Sequence, residues 1–403
     1  MCTHPCLCMC ILCFFFNYLC FLLFFPFTIV FFFLFFIRST TLSLYICKMG
    51  RDMMTYNVHE GNLEAMIHGY RDGLLRVDEY NNLCQCDNLS DLKSQLQVTD
   101  YGNFLQQEGT LTARIIVDRA QEVLVKQFRE LRAWSEPPLC DFLDFISYEY
   151  MISNVLKLIV AKRSGRASLE LLTKCHPLGT FPELPTLIAA MDVREMFEVV
   201  LVDSPVGRFF SAEGGFERDF EEMSVEFIRG ILMKNYYEQF YDLCYALGGE
   251  TRDVMCPLLD AEADRMVLTF TINTLGMREI TPADRRKVFP NLGTLVDIHD
   301  DIAESENEEQ LRDRLRRFQT YFDLLDESRS METAGKKSLE RRFVELSVVL
   351  YSDAMTRQFQ YGVFYAYVKL KELEINNLQW ISDCVVQQVR NRLHEYVNIV
   401  IAQ

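Results

Sequence analysis

The sequence predicts an all-α fold over residues 54–403, and three observations carry that prediction. Apolar residues recur at helical spacing through several long segments. Helix starts and stops are legible as caps and glycine pairs. Strand signals are scarce, because most β-branched residues fall inside the helical periodicity and no Asn-Gly or Asp-Gly turn separates alternating runs.

The first 53 residues stand apart. From Ile11 to Ile37 the chain runs 27 residues without a charge, and 12 of them are Phe. Length and polarity alone would make this a membrane-spanning helix or signal anchor. Yet runs such as Phe14-Phe15-Phe16 and Phe31-Phe32-Phe33 are poor helix formers, and seven of the chain's 14 cysteines lie before Met49. Phe, Leu, Cys, Ile and Val share T-rich codons, so a translated pyrimidine-rich leader would give such a segment. Residues 1–53 are therefore read as a gene-model extension, with a membrane anchor or a cleaved signal as the alternatives. The mature start is expected between Met49 and Met54.

Within the body, Asp192 followed by Glu195 marks one helix start. Ile228, Ile231, Leu232, Tyr236, Phe240, Leu243 and Leu247 trace the next helix, which Gly248-Gly249 should stop before a successor begins at once. Thr281-Pro282-Ala283-Asp284 offers a capping hydroxyl, a first-turn proline and an acid three residues on. Ser305 with Glu308 repeats the pattern. Val363, Tyr367, Leu370, Leu378, Ile381, Val385, Val389, Leu393 and Val397 predict a last helix that no proline interrupts.

Internal repeats organise these elements. Pro177-Leu178-Gly179-Thr180-Phe181 recurs as Pro290-Asn291-Leu292-Gly293-Thr294-Leu295, 114 residues on from Gly179 to Gly293. An amphipathic helix follows each, at Met196 to Phe210 and at Leu311 to Leu325, and a third copy truncated at its front lies at Leu92 to Leu105. Segments carrying Glu149, Glu262 and Glu372 repeat at spacings of 113 and 110. The expected domains are three helical units of about 110 residues, near 54–175, 176–289 and 290–403, with the N- and C-terminal helices able to share one of them.

Removing residues 1–53, which carry three cations and one acid, moves the formal charge from −16 to −18. So acidic a body argues against nucleic acid and anionic lipid as direct partners and suits docking onto basic protein surfaces. Its seven cysteines, Cys84, Cys86, Cys140, Cys175, Cys244, Cys256 and Cys384, are an odd, dispersed set, which fits a reducing compartment.

Chemistry-bearing motifs are few. Neither G-x-x-x-x-G-K-[ST] nor G-x-G-x-x-G occurs, so no phosphate loop is available for nucleotide hydrolysis. There is no H-E-x-x-H and no G-x-S-x-G, and Cys84-Gln85-Cys86 lacks a second Cys/His pair for zinc. Those two cysteines are read as core residues at a helix end. Asp300-Asp301-Ile302-Ala303-Glu304 matches the D-D-x-x-[DE] pattern of Mg²⁺-diphosphate enzymes, but it sits in a longer acidic run with no second motif, so a solvated face is the better reading. No residue is assigned a catalytic, cofactor-binding or metal-binding role, and no cofactor is expected. The alternatives carried forward are a helical Mg-dependent diphosphate enzyme using Asp300 and Asp301, and a membrane-anchored scaffold.

Short motifs in a fixed order then give a resemblance. They are Tyr56-Asn57-Val58, Leu89-Ser90-Asp91-Leu92-Lys93, Thr99 to Leu105, Phe142 to Ile146, Lys174 to Gly179 and Leu201-Val202-Asp203-Ser204-Pro205. Met255 to Leu259, Glu262-Ala263-Asp264-Arg265, Thr271-Ile272-Asn273 and the run Gly362 to Glu372 with Trp380, Ile381 and Cys384 complete the set. The body resembles the d-subunit family of V-type proton ATPases, related to the C subunit of archaeal and bacterial enzymes. Residues 1 to about 53 have no counterpart in that family, and Leu295 to Ser338 is more acidic than the family pattern.

The resemblance implies a funnel of three similar helical domains in pseudo-threefold arrangement. It implies a non-catalytic subunit that couples the central rotor stalk to the proteolipid c-ring and so supports ATP-driven proton transport. The expected partners are the ring and the stalk subunits, with no nucleic acid and no small-molecule substrate. The expected place is the cytosolic face of acidic organelle membranes such as vacuole, lysosome or endosome, peripheral to the bilayer through the ring.

Overall fold

The structure, a computed structural model, describes residues 53–105, 111–165, 169–190, 195–196, 204–210, 224–277, 280–325 and 339–399. The apolar stretch 11–37, the expected cap at Asp192 and residues 197–203 of the expected helix 196–210 lie outside the described residues; of the rest of that helix, residues 204–206 form a bend and turn and only Gly207–Phe210 is a helical turn, so the expected continuous helix is not found there. Every regular element among the described residues is helical. Seven helices are long: α1 (Met53–Asp72), α2 (Ala113–Trp134), α3 (Leu139–Arg163), α4 (Val225–Leu247), α5 (Gly249–Thr274), α6 (Leu339–Thr356) and α7 (Gly362–Gln387). No helix among the described residues is long and apolar enough to cross a membrane.

Local chemistry sets the boundaries. The side chains of Thr112 and Ser224 accept the amides of Ile115 and Phe227, capping α2 and α4. Gly248 stops α4 with φ +68°, a region favouring glycine, and α5 starts at the next residue as expected. Thr281 and Asp284 close the expected capping box on the helix Pro282–Val288.

Helix α7 is the core element. Its residues Val363 to Val368 are buried without a break, so it is apolar all round rather than on one stripe. It packs against α1, α2, α3, α5 and α6. Val363 and Phe364 are fully buried in it, and each such side chain contributes roughly 1.5–3 kcal/mol. The N-terminal segment joins the same core. Tyr56 Oη donates to the Gln360 carbonyl at 3.1 Å, and Glu64 accepts the Phe359 amide at 2.8 Å.

Three further expectations are corrected. The last helix ends at Gln387 instead of running on to Val397, because Gln388 takes a left-handed conformation (φ +56°) and its side-chain amide donates to Val385 and Asp87 carbonyls. The chain then turns back, so that Asn377 exchanges two hydrogen bonds with Val397. The helix expected over Leu311 to Leu325 is broken into Glu308–Arg314, a 3-10 turn at Leu315–Arg317 and Gln319–Leu324, with Phe318 non-helical at ψ 80°. Its cap is Asn307, whose side chain accepts the Gln310 amide. Ser305 is buried instead, with its hydroxyl donating to the Asp301 carbonyl.

Candidate functional site

Three buried polar side chains, Asn154 on α3, Asp264 on α5 and Glu374 on α7, each hold the backbone of a turn, and they stand at intervals of 110 residues. Asn154 accepts the His176 amide at 2.8 Å and donates to its carbonyl at 2.9 Å. Asp264 accepts the amides of Thr294 and Leu295 at 3.0 and 3.1 Å and the Tyr321 hydroxyl at 2.9 Å. Glu374 accepts the Leu75 amide at 2.5 Å, the Tyr101 hydroxyl and the Lys371 ammonium.

The first two are the Leu-Gly-Thr turns picked out by their repetition. Their glycines are required by close approach. A Cβ on Gly179 would stand 2.4 Å from the Tyr150 carbonyl group, and one on Gly293 (φ +108°) would stand 2.3 Å from Asp264 Oδ1. The third turn, Gly73-Leu74-Leu75, went unrecognised in the sequence because it keeps only the glycine and the buried apolar residue two places on. Tyr101 and Tyr321 each follow their turn's last residue, Leu75 and Leu295, by the same 26 positions. Burial raises the Asp264 carboxyl, against the pull of its bonds to Thr294, Tyr321 and Leu295.

The three spaced glutamates meet nearby, where α3, α5 and α7 come together. Lys369 on α7 reaches both oxygens of Glu149 on α3, at 2.7 and 2.8 Å, and lies 3.7 Å from Glu372 one turn along α7. Glu262 on α5 receives two bonds from Arg265, at 2.5 and 2.9 Å, and one from the Tyr351 hydroxyl. Burial alone would raise the Glu262 carboxyl, but Arg265 and Lys369 with Tyr351 outweigh it and hold it below the usual glutamate range. Burial prevails at Glu372, which is raised despite Lys369. Burial likewise opposes the charge on Lys369, and Glu149 with its neighbours overrides it, so the ammonium is held well above its usual range. Water still reaches this junction: the side chains of Lys369, Glu149, Glu372 and Arg265 are 13, 20, 28 and 41 % exposed.

Sequence reasoning picked out the glutamates but did not pair them with Lys369 and Arg265, which stood within the resemblance motifs, and missed Tyr351 altogether. The i, i+3 pairs Glu262/Arg265 and Lys369/Glu372 were the available signal, since such pairs share a helix face.

The remaining candidates are distributed elsewhere. Asp300 pairs with Arg286 at 3.1 Å and Asp301 with Arg314 at 2.8 Å, on the five-residue helix His299–Ala303. Two of the three acids of the diphosphate-type motif thus pair with cations of their own chain in surface ion pairs. Cys84 closes the helix Val77–Cys84, Cys86 follows it, and all seven body cysteines are buried and free, as the core reading requires. Burial pushes the Cys84 thiol up to about 11, which leaves it protonated and a poor nucleophile at neutral pH. Among the described residues no group of three or more His, Cys, Asp or Glu is placed to hold a metal ion.

Residues 63–396 match a family model described as ATP synthase (C/AC39) subunit. A probable V-type proton ATPase subunit d of Oryza sativa subsp. japonica is 40 % identical over 350 residues, which cover 86 % of this chain and 98 % of the relative. The V-type proton ATPase subunit d of Dictyostelium discoideum is 40 % identical over 349 residues, covering 86 % and 97 %. That of Saccharomyces cerevisiae is 35 % identical over 348 residues, covering 85 % and 98 %.

Proposed function

We infer the role from one premise: this chain belongs to the ATP synthase (C/AC39) subunit family, among the d subunits of V-type proton ATPases, and is a non-catalytic part of that proton-transporting complex. The complex is an ATPase; the chain's own task is mechanical. It connects the central rotor stalk to the proteolipid ring at the cytosolic face of an acidic organelle's membrane, passing torque from one to the other.

The observation that carries this reading is the set of turn-holding side chains at Asn154, Asp264 and Glu374. A part that transmits torque must resist shear between its elements. Buried, fully bonded polar groups fix the relative position of helix and turn in a way that apolar packing alone does not. Their regular interval also supports three helical units near 54–175, 176–289 and 290–403. The bonds from Leu75 and Tyr101 to Glu374 support an N-terminal segment that shares a unit with the C-terminal helix. The diphosphate alternative finds no support, since Asp300 and Asp301 pair with Arg286 and Arg314.

Depletion of the chain in cells tests the role. Organelle acidification should fail and the catalytic sector should separate from the membrane, while the purified catalytic sector still hydrolyses ATP. Acidification at the normal rate in depleted cells would overturn it.

A further inference from the structure

A polar cleft of about 290 Å³ opens between the start of α2, Lys157 on α3, the turn at 173–176 and the end of α7. His176 is the fixed point of its wall. Asn154 holds the amide and the carbonyl of that residue, the imidazole stacks on Tyr150 with ring centres 4.4 Å apart, and Nδ1 accepts the Leu178 amide at 3.3 Å. Burial, with Lys157 adding to it, pushes the imidazole down to about 4, so the ring is neutral at pH 7. With Nδ1 accepting, the single proton sits on Nε2. Nε2 has no hydrogen-bond partner among the described residues and is not sealed from solvent, so its N–H is a donor presented at the cleft. The charges of the wall do not balance. Arg114 and Asp118 face each other at 3.5 Å one turn apart on α2. Lys157 and Lys174 form no ion pair and no hydrogen bond among the described residues, although the chain carries a formal charge of −16. Lys157 lies close enough to the turn to draw both Cys175 and His176 toward lower pKa, and neither acid of the wall, Asp118 or Asp383, counteracts it there. The rest of the wall is uncharged apart from Asp383, with Gln121 on α2 and Gln379 on α7, and no phenyl, phenol or indole ring lines it.

We propose that this cleft binds a phosphate monoester of a small polyol, such as a sugar phosphate or an inositol phosphate. The two ammonium groups and the His176 N–H are donors from two different elements, and a phosphate meets them with oxygens pointing in several directions, where a carboxylate offers two in one plane. Asp383 repels bare phosphate but accepts hydroxyls, and Gln121 and Gln379 can donate to hydroxyls or accept from them, so that side of the cleft selects a phosphate that carries a polyol. A nucleobase would find no ring to stack on. The volume stands near the lower end of small-molecule sites, roughly 300–1,000 Å³, which suits a single sugar ring. Asn154 and Tyr150 hold the His176 donor in place before any ligand arrives, so binding does not have to order it. A ligand seated there bridges α2, α3 and α7. The site goes beyond the coupling role and does not depend on it.

The test titrates the full chain calorimetrically with glucose 6-phosphate, myo-inositol 1-phosphate, inorganic phosphate, glucose and myo-inositol. At least one of the two phosphorylated polyols should bind with Kd below about 1 mM and more tightly than inorganic phosphate, and the bare polyols should not bind. Lys157 and Lys174 are exposed, so Lys157→Gln and Lys174→Gln should each leave the melting temperature within about a degree of wild type while weakening that binding about tenfold. Asp383→Asn should weaken the phosphorylated polyol and strengthen inorganic phosphate, a reversal that general attraction of anions cannot give. Sedimentation with phosphatidylcholine vesicles carrying phosphatidylinositol 4-phosphate separates the sources: binding that the lysine substitutions abolish and free myo-inositol 1-phosphate displaces assigns a lipid headgroup, and binding of the free probes alone assigns a soluble metabolite. Either result upholds the site. No phosphorylated polyol binding better than inorganic phosphate would overturn it, and so would binding that both lysine variants retain in full.

Discussion

Replacing Glu374 with glutamine probes the turn-holding arrangement where its energetics are largest. Glu374 and Lys371 are both fully buried, one turn apart on α7, with their charges in contact at 2.7 Å. The carboxylate also accepts the Leu75 amide and the Tyr101 hydroxyl, and the Lys371 ammonium lies 4.4 Å from the centre of the Tyr101 ring. Glutamine keeps the size but turns one acceptor oxygen into a donor, which would face the donors it should satisfy. It also strands the lysine charge. Breaking a buried pair from one side costs about 3–5 kcal/mol, and a body of about 350 residues unfolds with an entropy near 0.7 kcal/mol/K, so the melting temperature should fall by about 5 °C. Hydrogen exchange should show the loosening concentrated at residues 73–105. Adding Lys371→Met to Glu374→Gln removes the stranded charge and should recover about 2–3 kcal/mol of the loss, read as a coupling energy in a double-mutant cycle by urea unfolding. If Glu374→Gln lowered stability by less than about 1 kcal/mol, or the two substitutions were simply additive, the pair would not be the buried, mutually dependent unit described.

Gly293→Ala should destabilise by about 2–4 kcal/mol, since the new Cβ meets the Asp264 carboxylate at 2.3 Å with φ at +108°; a melting temperature unchanged within a degree would refute the close approach. Arg285 is buried and donates to Thr274 Oγ1 and to the carbonyls of Thr274, Ala303 and Ser305, so Arg285→Met should cost about 3 kcal/mol and speed amide exchange around 299–305. His299 is buried, burial pushes its imidazole down to about 4, and neither ring nitrogen has a hydrogen-bond partner. Its folded pKa lies below the unfolded one near 6.5, so stability is full at neutral pH and is lost as pH falls through 6.5 toward 4. Between pH 7 and pH 4.5 this one group should remove about 2.5 kcal/mol, and His299→Phe should flatten that part of the pH–stability curve. An unchanged slope would show that other groups carry the acid sensitivity.

Legibility in the sequence followed the range of the interaction. The Gly248-Gly249 stop and the Thr281 capping box depend on neighbours within four residues, and both stand where they were expected. The end of α7 was hidden because glutamine carries no signature of a left-handed conformation, while Val389, Leu393 and Val397 keep helical spacing after the chain has turned back. Ser305 and Asn307 are equally good caps by type, and the choice is made by burial of Ser305 under Arg285. Asp264 and Arg265 stood in plain view within a recognised motif, but their tasks differ because successive helical residues point about 100° apart, one into the Thr294 turn and the other to Glu262. Glu374 could not have been assigned from its surroundings at all, because the amide it holds is 299 positions away in the chain.

That separation sets a timetable for synthesis. The turn at Leu75 leaves the ribosome with its acceptor still untranslated, and at about 5–20 residues per second the wait for Glu374 lasts roughly 15–60 s. For that interval the Tyr56, Leu63, Ile67, Leu75, Tyr80 and Tyr101 side chains have no α7 to pack against. The nascent chain therefore spends most of its elongation with an apolar N-terminal surface open to chaperones, and closes only when nearly the whole polypeptide has emerged.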